Sequence, residues 1–86
     1  MGRDSFAVQL TGTATTTLGT RFLMAICVNK TLIGTMVIKD GATTVGSFAI
    51  GTVPNTYHVV PNGARYQNLQ VVLSAGDDVT AYIQLA

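Results

Sequence analysis

A chain of 86 residues forms one small domain, because two separate cores of half that length would not stabilise themselves without disulfides or metals. Charged residues make up 10% of the sequence, against about 25% in an ordinary globular domain, and the formal net charge is +1. This balance excludes an electrostatic attraction to nucleic acid or to an anionic membrane. The single cysteine, Cys27, excludes an internal disulfide.

The N-terminal part begins with the period of a strand. Phe6, Val8 and Leu10 alternate with other residues, as in a strand whose successive side chains point to opposite faces. The Thr-rich residues 11–17 continue this strand at a sheet edge, or they form a loose arm that orders on binding. We therefore predict an N-terminal strand or arm over residues 1–20 and a core over residues 21–86, within a single domain.

The strongest predicted core strand covers residues 21–28. Both of its faces are apolar, so both need cover from other parts of the chain. One face carries the even-numbered residues and the other the odd-numbered ones: Phe22, Met24, Ile26 and Val28 against Leu23, Ala25 and Cys27. A turn at residues 31–34 leads to a strand at residues 35–39, in which Met36 and Ile38 share a face.

A hairpin loop is predicted over residues 40–46. Gly41 adopts positive φ without a Cβ clash, and the side chain of Asp40 can hydrogen-bond to its own turn. In the return strand, Phe48 and Ile50 should face the core.

The C-terminal half reads as three more strands. A short strand at residues 57–60 is followed by a turn at residues 61–63. The last two strands, residues 69–73 and 79–85, read as a hairpin closed by a turn at residues 75–78. Their facing side chains are Leu69, Val71 and Leu73 against Val79, Ala81, Ile83 and Leu85. Seven to eight short strands without a helical period predict an all-β chain, an antiparallel β-sandwich or small jelly roll.

The predicted strand edges carry few protective residues. Soluble monomers usually guard their edges with lysine, proline or bulges, and Lys30 and Lys39 are the only lysines here. The polar surface consists largely of thirteen threonines, which do not repel another copy of the chain. These features favour pairing with partner subunits. The alternative is a solvent-facing surface on which threonine is simply a good strand residue.

Residues with catalytic or ligand-binding chemistry are few. His58 is the only histidine and has no nucleophile nearby in the sequence, so we predict no enzyme. Asp40, Asp77 and Asp78 suit turn geometry, although a calcium ion at the last two is an alternative. The sequence predicts no catalytic, cofactor or metal site.

One group of residues is a candidate for contact with a ligand or partner. Tyr66 is the one tyrosine whose ring could be exposed, with Arg65 beside it and Asn62 in the preceding turn. The structural interpretation, in which Tyr66 packs over a strand end and bonds its hydroxyl to the backbone, is the favoured one.

Four segments, in their order along the chain, carry a family resemblance. They are ICVNKT at 26–31, GTMVIKDG at 34–41, YQNLQVV at 66–72 and DVTAY at 78–82. In this order they resemble small β-sandwich proteins of tailed bacteriophage particles, and the resemblance covers residues 21–85. The motif positions lie at turns and strand ends, so they support the fold and do not mark a binding surface: Asn29, Gly34, Asp40, Gly41 and Asp78.

The resemblance implies a structural virion protein. The expected role is a capsid cement or decoration protein, made in the bacterial host cytoplasm and located on the capsid surface. Its expected partners are its own copies, as a homotrimer or other homo-oligomer, and the phage major capsid protein. The alternative is a tail or head-fibre β-domain that recognises a host-surface glycan, but the chain is short and has no fibrous repeat.

Overall fold

The computed structural model describes residues 5–58 and 64–85. It contains five strands in one curled antiparallel sheet, with spatial order β3-β2-β5-β1-β4. The strands are β1 (Ser5–Val28), β2 (Met36–Asp40), β3 (Thr43–Phe48), β4 (Asn55–Tyr57) and β5 (Ala64–Leu85). The described residues contain no helix, and the prediction of an all-β antiparallel chain is confirmed.

The two long strands, β1 and β5, pair with each other along both edges of β5. Residues 5–23 of β1 pair with residues 64–84 of β5, and residues 21–28 of β1 pair with residues 79–85. Ala81, for example, has Val8 as its partner in one ladder and Ile26 in the other. The C-terminal part of β5 therefore lies between the two ends of β1, which requires the sheet to curl.

Two glycines allow β1 to bend. Gly12 and Gly19 have φ values of 85° and 78°, a region that side chains with a Cβ rarely adopt. The β1–β5 register shifts beside each of them. Such irregularities bend a strand and increase its twist, so they produce the curl.

β5 runs without interruption through the segment that was predicted to turn. The predicted turn at residues 75–78, and with it the hairpin of residues 69–73 and 79–85, is wrong. The Gly-Asp-Asp signal marks a bulge. Gly12 pairs with Asp77 and Ala14 pairs with Leu73, so β5 has more residues between these two pairs than β1 has. Residues 5–20, including the segment that could have been a loose arm, belong to β1.

The core lies on the inner face of the curled sheet. Met36 and Ile38 are fully buried, as predicted. The predicted alternation in β5 is also confirmed, although its members belong to one strand: Leu69, Val71, Leu73, Val79, Ala81 and Ile83 are buried. Phe48 packs against this core and makes an edge-to-face contact with Tyr57, with ring centroids 5.4 Å apart. The inward prediction for Ile50 is wrong, since it lies beyond the end of β3 and is 67% exposed.

The end of β1 does not keep a simple alternation. Leu23 pairs with Ile83, but Ala25 pairs with the next residue, Tyr82, so Met24 is an extra residue on β1. This bulge changes which positions face inward, and the odd-numbered Leu23 shares the core with the even-numbered Ile26.

The predicted hairpin between β2 and β3 is confirmed, with a tighter turn. Only Gly41 and the following alanine separate the two strands, and Gly41 has φ of 60°. The N–H of Gly41 donates to the carbonyl oxygen of Asn68 at 2.8 Å, and Asp40 Oδ1 accepts from the Asn68 N–H at 3.0 Å. These contacts hold the turn against β5.

Candidate functional site

A long stretch of β1 has a free edge. Residues 5–20 pair with β5 on one side, and no described strand pairs with their other side, because β4 covers only residues 26–28. These residues include no charge and no proline. Backbone N–H and C=O groups along the free edge are therefore open to another strand.

The outer strands of the sheet, in contrast, have protected edges. Ile38 pairs with Gly46 and Lys39 with Thr44, which leaves Val45 as a bulged residue on β3. β4 is only three residues long and follows Pro54. Bulges, short strands and proline all oppose edge pairing. The expectation of unguarded edges is thus wrong for β3 and β4.

A groove of about 410 Å³ lies beside the free edge of β1. Its lining residues are Phe6, Ala7, Val8, Thr17, Leu18, Arg21 and Ile83. All but one belong to two separate parts of β1, so the groove lies inside the bend that begins at Gly12. Its walls are mainly apolar, and Arg21 is the charged residue among them.

Arg21 has unused hydrogen-bonding capacity. Its Nη1 donates to the carbonyl oxygen of Thr20 at 2.8 Å. Its Nε is buried and has no hydrogen-bond partner in the described ranges. A buried donor without an acceptor is costly, and a guanidinium matches a carboxylate in geometry and charge. Arg21 therefore gives the groove a preference for an anionic group.

Tyr66 lies directly across the strand pair from Arg21, and opposite residues share a face of the sheet. Tyr66 is 2% exposed, so its ring is packed, as the structural interpretation expects, and it is not an exposed contact ring. The expected hydrogen bond from its hydroxyl to the backbone is not made, since the buried hydroxyl has no partner in the part of the chain that the structure describes. Burial, followed by the nearby charge of Asp40, raises the pKa of Tyr66 above its ordinary value.

The other two predicted contact residues do not join Tyr66 in a site. Arg65 is exposed, and Asn62 lies outside the described residues. The reason is that β5 already begins at Ala64, so the segment around Tyr66 is strand and not loop.

Asp77 is buried, with 4% exposure, and it anchors the loop that follows β1. Its Oδ1 accepts from the Ile33 N–H at 2.8 Å and its Oδ2 from the Gly34 N–H at 3.1 Å. The loop lies so close that a Cβ on Gly34 would be 2.5 Å from Ser74 Oγ and 2.7 Å from Ala75 Cβ. Both carboxylate oxygens of Asp77 thus have a structural role.

Asp78, the residue after Asp77, connects β5 with β1 and with Asn29. Its Oδ1 accepts from Gln9 Nε2 and from Asn29 Nδ2, each at 2.9 Å. These two hydrogen bonds, that of Gln9 first, lower the pKa of Asp78. The described residues contain no group of three or more His, Cys, Asp or Glu side chains suited to a metal ion.

His58 is exposed, and its Nδ1 lies 3.1 Å from the carbonyl oxygen of Met24. The ring nitrogen must carry the proton to make this bond, in which the imidazole contacts the backbone of β1 near its C-terminal end.

Three exposed aliphatic side chains form a further surface, which we name the apolar corner: Ile33, Ile50 and Val53, exposed by 64%, 67% and 58%. Backbone hydrogen bonds bring their segments together. The N–H of Leu32 donates to the carbonyl of residue 52 at 3.0 Å, and the Leu32 carbonyl accepts from residue 51 at 2.8 Å. No charged residue belongs to the corner.

A scan against protein-family models, a search of curated proteins and a search of solved structures each found no match to this chain. Within residues 5–58 and 64–85, no helix has the length and apolar character needed to cross a bilayer.

Proposed function

We propose that this chain is a non-enzymatic structural protein of a bacteriophage virion, a capsid cement or decoration protein that binds the assembled shell and bridges coat subunits. The observation that carries the proposal is the free, charge-free edge of β1. Such an edge is an aggregation risk for a monomer, so a selected protein keeps it when a partner covers it. The family resemblance of residues 21–85 supports the phage class.

The stabilising mechanism is mass action. A protein that binds the closed shell and not its separated subunits adds its binding free energy to the work of opening the shell. At a free concentration one hundred times Kd, each site contributes about 2.7 kcal/mol. Many weak sites on one particle therefore give a large total effect.

Particles with and without the protein test this function. Particles that lack it should release their genome at lower temperature, and adding the purified protein back should restore the original value. The matched control is the same particle treated with an unrelated small β-protein. Equal heat resistance of the two kinds of particle would contradict the proposal.

We also propose that the chain associates with its own copies, as a homotrimer or another homo-oligomer, through the apolar corner. Ile50→Asp should dissociate such an oligomer in analytical ultracentrifugation, because it places a charge in the buried contact. Val45→Asp changes an exposed valine outside the corner and should leave the oligomer intact. A monomeric wild type at micromolar concentration would contradict self-association.

A finer architecture is part of the proposal: a two-layer sandwich or jelly roll of seven to eight strands. Register shifts in the β1–β5 ladder fall beside Gly12, on both sides of Gly19 and between Leu23 and Ala25. Dividing β1 after residues 12 and 19 gives residues 5–12, 14–19 and 21–28, and β5 divides into residues 64–73 and 77–85. With β2, β3 and β4, these five segments make eight of ordinary strand length. The glycan-binding alternative lacks support from Tyr66, whose ring is buried.

A further inference from the structure

We propose that the free edge of β1 and its groove bind an extended acidic segment of another protein, which adds to the sheet as a strand and places a carboxylate on Arg21. The inference deepens the proposed function, on which it rests only for the identification of that protein as a coat subunit. Three features of the surface have to be satisfied together: the open backbone, the apolar groove and the unpaired guanidinium.

The open backbone requires an extended chain. Residues 5–20 use only one edge for pairing with β5, and the other edge presents N–H and C=O groups in the regular stretches that precede Gly12 and that lie between Gly12 and Gly19. An added strand satisfies such groups by main-chain hydrogen bonds, and pockets beside the edge select its side chains. No lysine or proline in residues 5–20 opposes this addition.

The groove requires an apolar side chain from the same segment. Its volume of about 410 Å³ lies within the range of about 300–1,000 Å³ that is usual for ligand sites. Phe6 is 43% exposed at its rim, and Val8 and Leu18 are only partly buried against the core. An aliphatic or aromatic side chain seated there would remove this apolar surface from water.

Arg21 requires an anion, and the described carboxylates of this chain already accept other bonds. Asp40 accepts from Asn68, Asp77 from two backbone groups, and Asp78 from two side chains. A carboxylate from outside that enters the groove would meet the Arg21 guanidinium and form the charge-assisted hydrogen bonds that arginine favours.

Other occupants satisfy only part of the site. A second copy of β1 could pair with the edge, but its residues 5–20 contain no carboxylate for Arg21. A free amphiphile such as a fatty acid could fill the groove and meet Arg21, but it would leave the backbone edge unpaired. An acidic extended segment satisfies the edge, the groove and the guanidinium.

The test uses the full chain and two blocked peptides of alternating valine and threonine, one with a central glutamate and one with a central glutamine. Fluorescence anisotropy measures binding, and hydrogen exchange locates it. We expect the glutamate peptide to bind at least about tenfold more tightly and to protect residues 5–20, because the charged pair forms only with it.

Variants test the role of Arg21. Arg21→Gln should remove the preference for glutamate, and Thr17→Asp, which places a carboxylate in the groove, should weaken binding of the same peptide. The matched controls, Arg65→Gln and Thr43→Asp, lie outside both the groove lining and residues 5–20 and should bind as the wild type does. Unfolding curves establish that each variant is folded.

Several results would overturn the inference. The proposed site is wrong if the glutamate peptide does not bind at millimolar concentration, if both peptides bind equally, or if protection appears away from residues 5–20. Concentration-dependent protection of residues 5–20 without peptide would show that a second copy of the chain occupies the edge. Displacement of the peptide by decanoate, with no protection of the edge, would show that the groove binds a fatty acid. Particle binding separates the two proposals. If Arg21→Gln stabilises particles as well as the wild type does, the proposed function is retained and this binding site is rejected.

Discussion

At the scale of single residues, the buried polar side chains discussed above differ in whether they have hydrogen-bond partners. Asp77 accepts two backbone N–H groups with its two oxygens, which makes a buried charge tolerable. Tyr66, in contrast, buries a hydroxyl without a partner among the described residues, and Arg21 across from it does the same with Nε. Buried polar atoms without a hydrogen-bond partner reduce stability, and each of them calls for a physical explanation, such as a contact with another molecule.

Replacing Tyr66 by phenylalanine should stabilise the fold. Tyr66→Phe removes the buried hydroxyl and its desolvation cost, so we expect the free energy of unfolding to rise by about 1–2 kcal/mol in urea denaturation at neutral pH. Tyr66→Phe should also lack the dependence of stability on alkaline pH that the tyrosine hydroxyl gives to the wild type. The folded pKa lies above the ordinary 10.0, so the linked stability is fully present below pH 10.0 and is lost as pH rises through the folded pKa.

The control for this prediction is Tyr82→Phe, since Tyr82 is 41% exposed. It should leave the neutral stability within about 0.5 kcal/mol of the wild type. A Tyr66→Phe variant that is less stable than the wild type would reveal a hydrogen bond to the hydroxyl and contradict the argument.

A methyl group at Gly34 should be poorly tolerated. Gly34→Ala places a Cβ 2.9 Å or less from Ser74 Oγ, Ala75 Cβ and Ala75 N, and two of these atoms cannot move away as a flexible side chain would. We expect a loss of about 1–3 kcal/mol in chemical denaturation, as for other overpacked sites. Gly76→Ala is the matched control, because its Cβ would meet nothing within 4 Å, and it should change stability by no more than about 0.5 kcal/mol. Equal stability of the two variants would contradict this close approach.

At the scale of elements, the sequence predicts local pairs well and distant ones poorly. The Asp40-Gly41 turn and the alternation at residues 69–73 follow from signals within a few residues. The signal at residues 76–78 is equally local, but glycine and aspartate serve a bulge as well as a turn. Only the pairing with β1 decides between them.

The candidate site was missed for the same reason. The groove joins Phe6 to Leu18 through a bend, and the sequence shows of that bend only two glycines, at positions 12 and 19, whose positive φ the structure reveals. The sequence places Tyr66 between a turn at residues 61–63 and a strand that begins at residue 69, and it allows either an exposed ring or a ring packed over a strand end. Its burial depends on a strand partner, Arg21, that lies far away in the sequence.

The contacts of Asp78 connect β5 with β1 and with Asn29, the residue that follows β1, and should make the domain sensitive to acid. The lowered pKa means that the stability linked to Asp78 is present above its ordinary value of 3.8 and is lost as pH falls through the folded pKa. Thermal melts of Asp78→Asn should lack this acidic decrease. Gln9→Ala removes the largest cause of the shift, so its acidic decrease should be smaller than in the wild type and should end at a higher pH.

Parallel curves of Tm against pH for the wild type and Asp78→Asn, over about pH 2 to pH 5, would contradict a role for this carboxylate. The comparison is best made at moderate salt, because the group is exposed and distant charges are then screened.

At the scale of the whole molecule, the beginning and the end of the chain complete the same sheet. Ser5 pairs with Gln84, and residues 5–12 cover one edge of residues 77–84, while the end of β1 covers the other edge. The fold is therefore closed by contacts between distant segments, which are slow to form. It follows that β1 is both an internal strand, through its paired edge, and the candidate binding strand, through its free edge.

Removing residues 1–12 should therefore prevent folding, whereas a loose arm would be dispensable. The deletion removes the buried side chain of Leu10 and leaves one edge of residues 77–84 unpaired. The resulting loss of stability should exceed the small free energy of unfolding of a domain of this size. We expect the truncated chain to melt without a cooperative transition by circular dichroism and to lose slow hydrogen exchange in β5. A synthetic peptide of residues 1–12 should restore both properties, since it supplies the missing strand. A truncated chain that melts cooperatively at the wild-type temperature would show that residues 5–12 are an accessory to the fold and not a part of it.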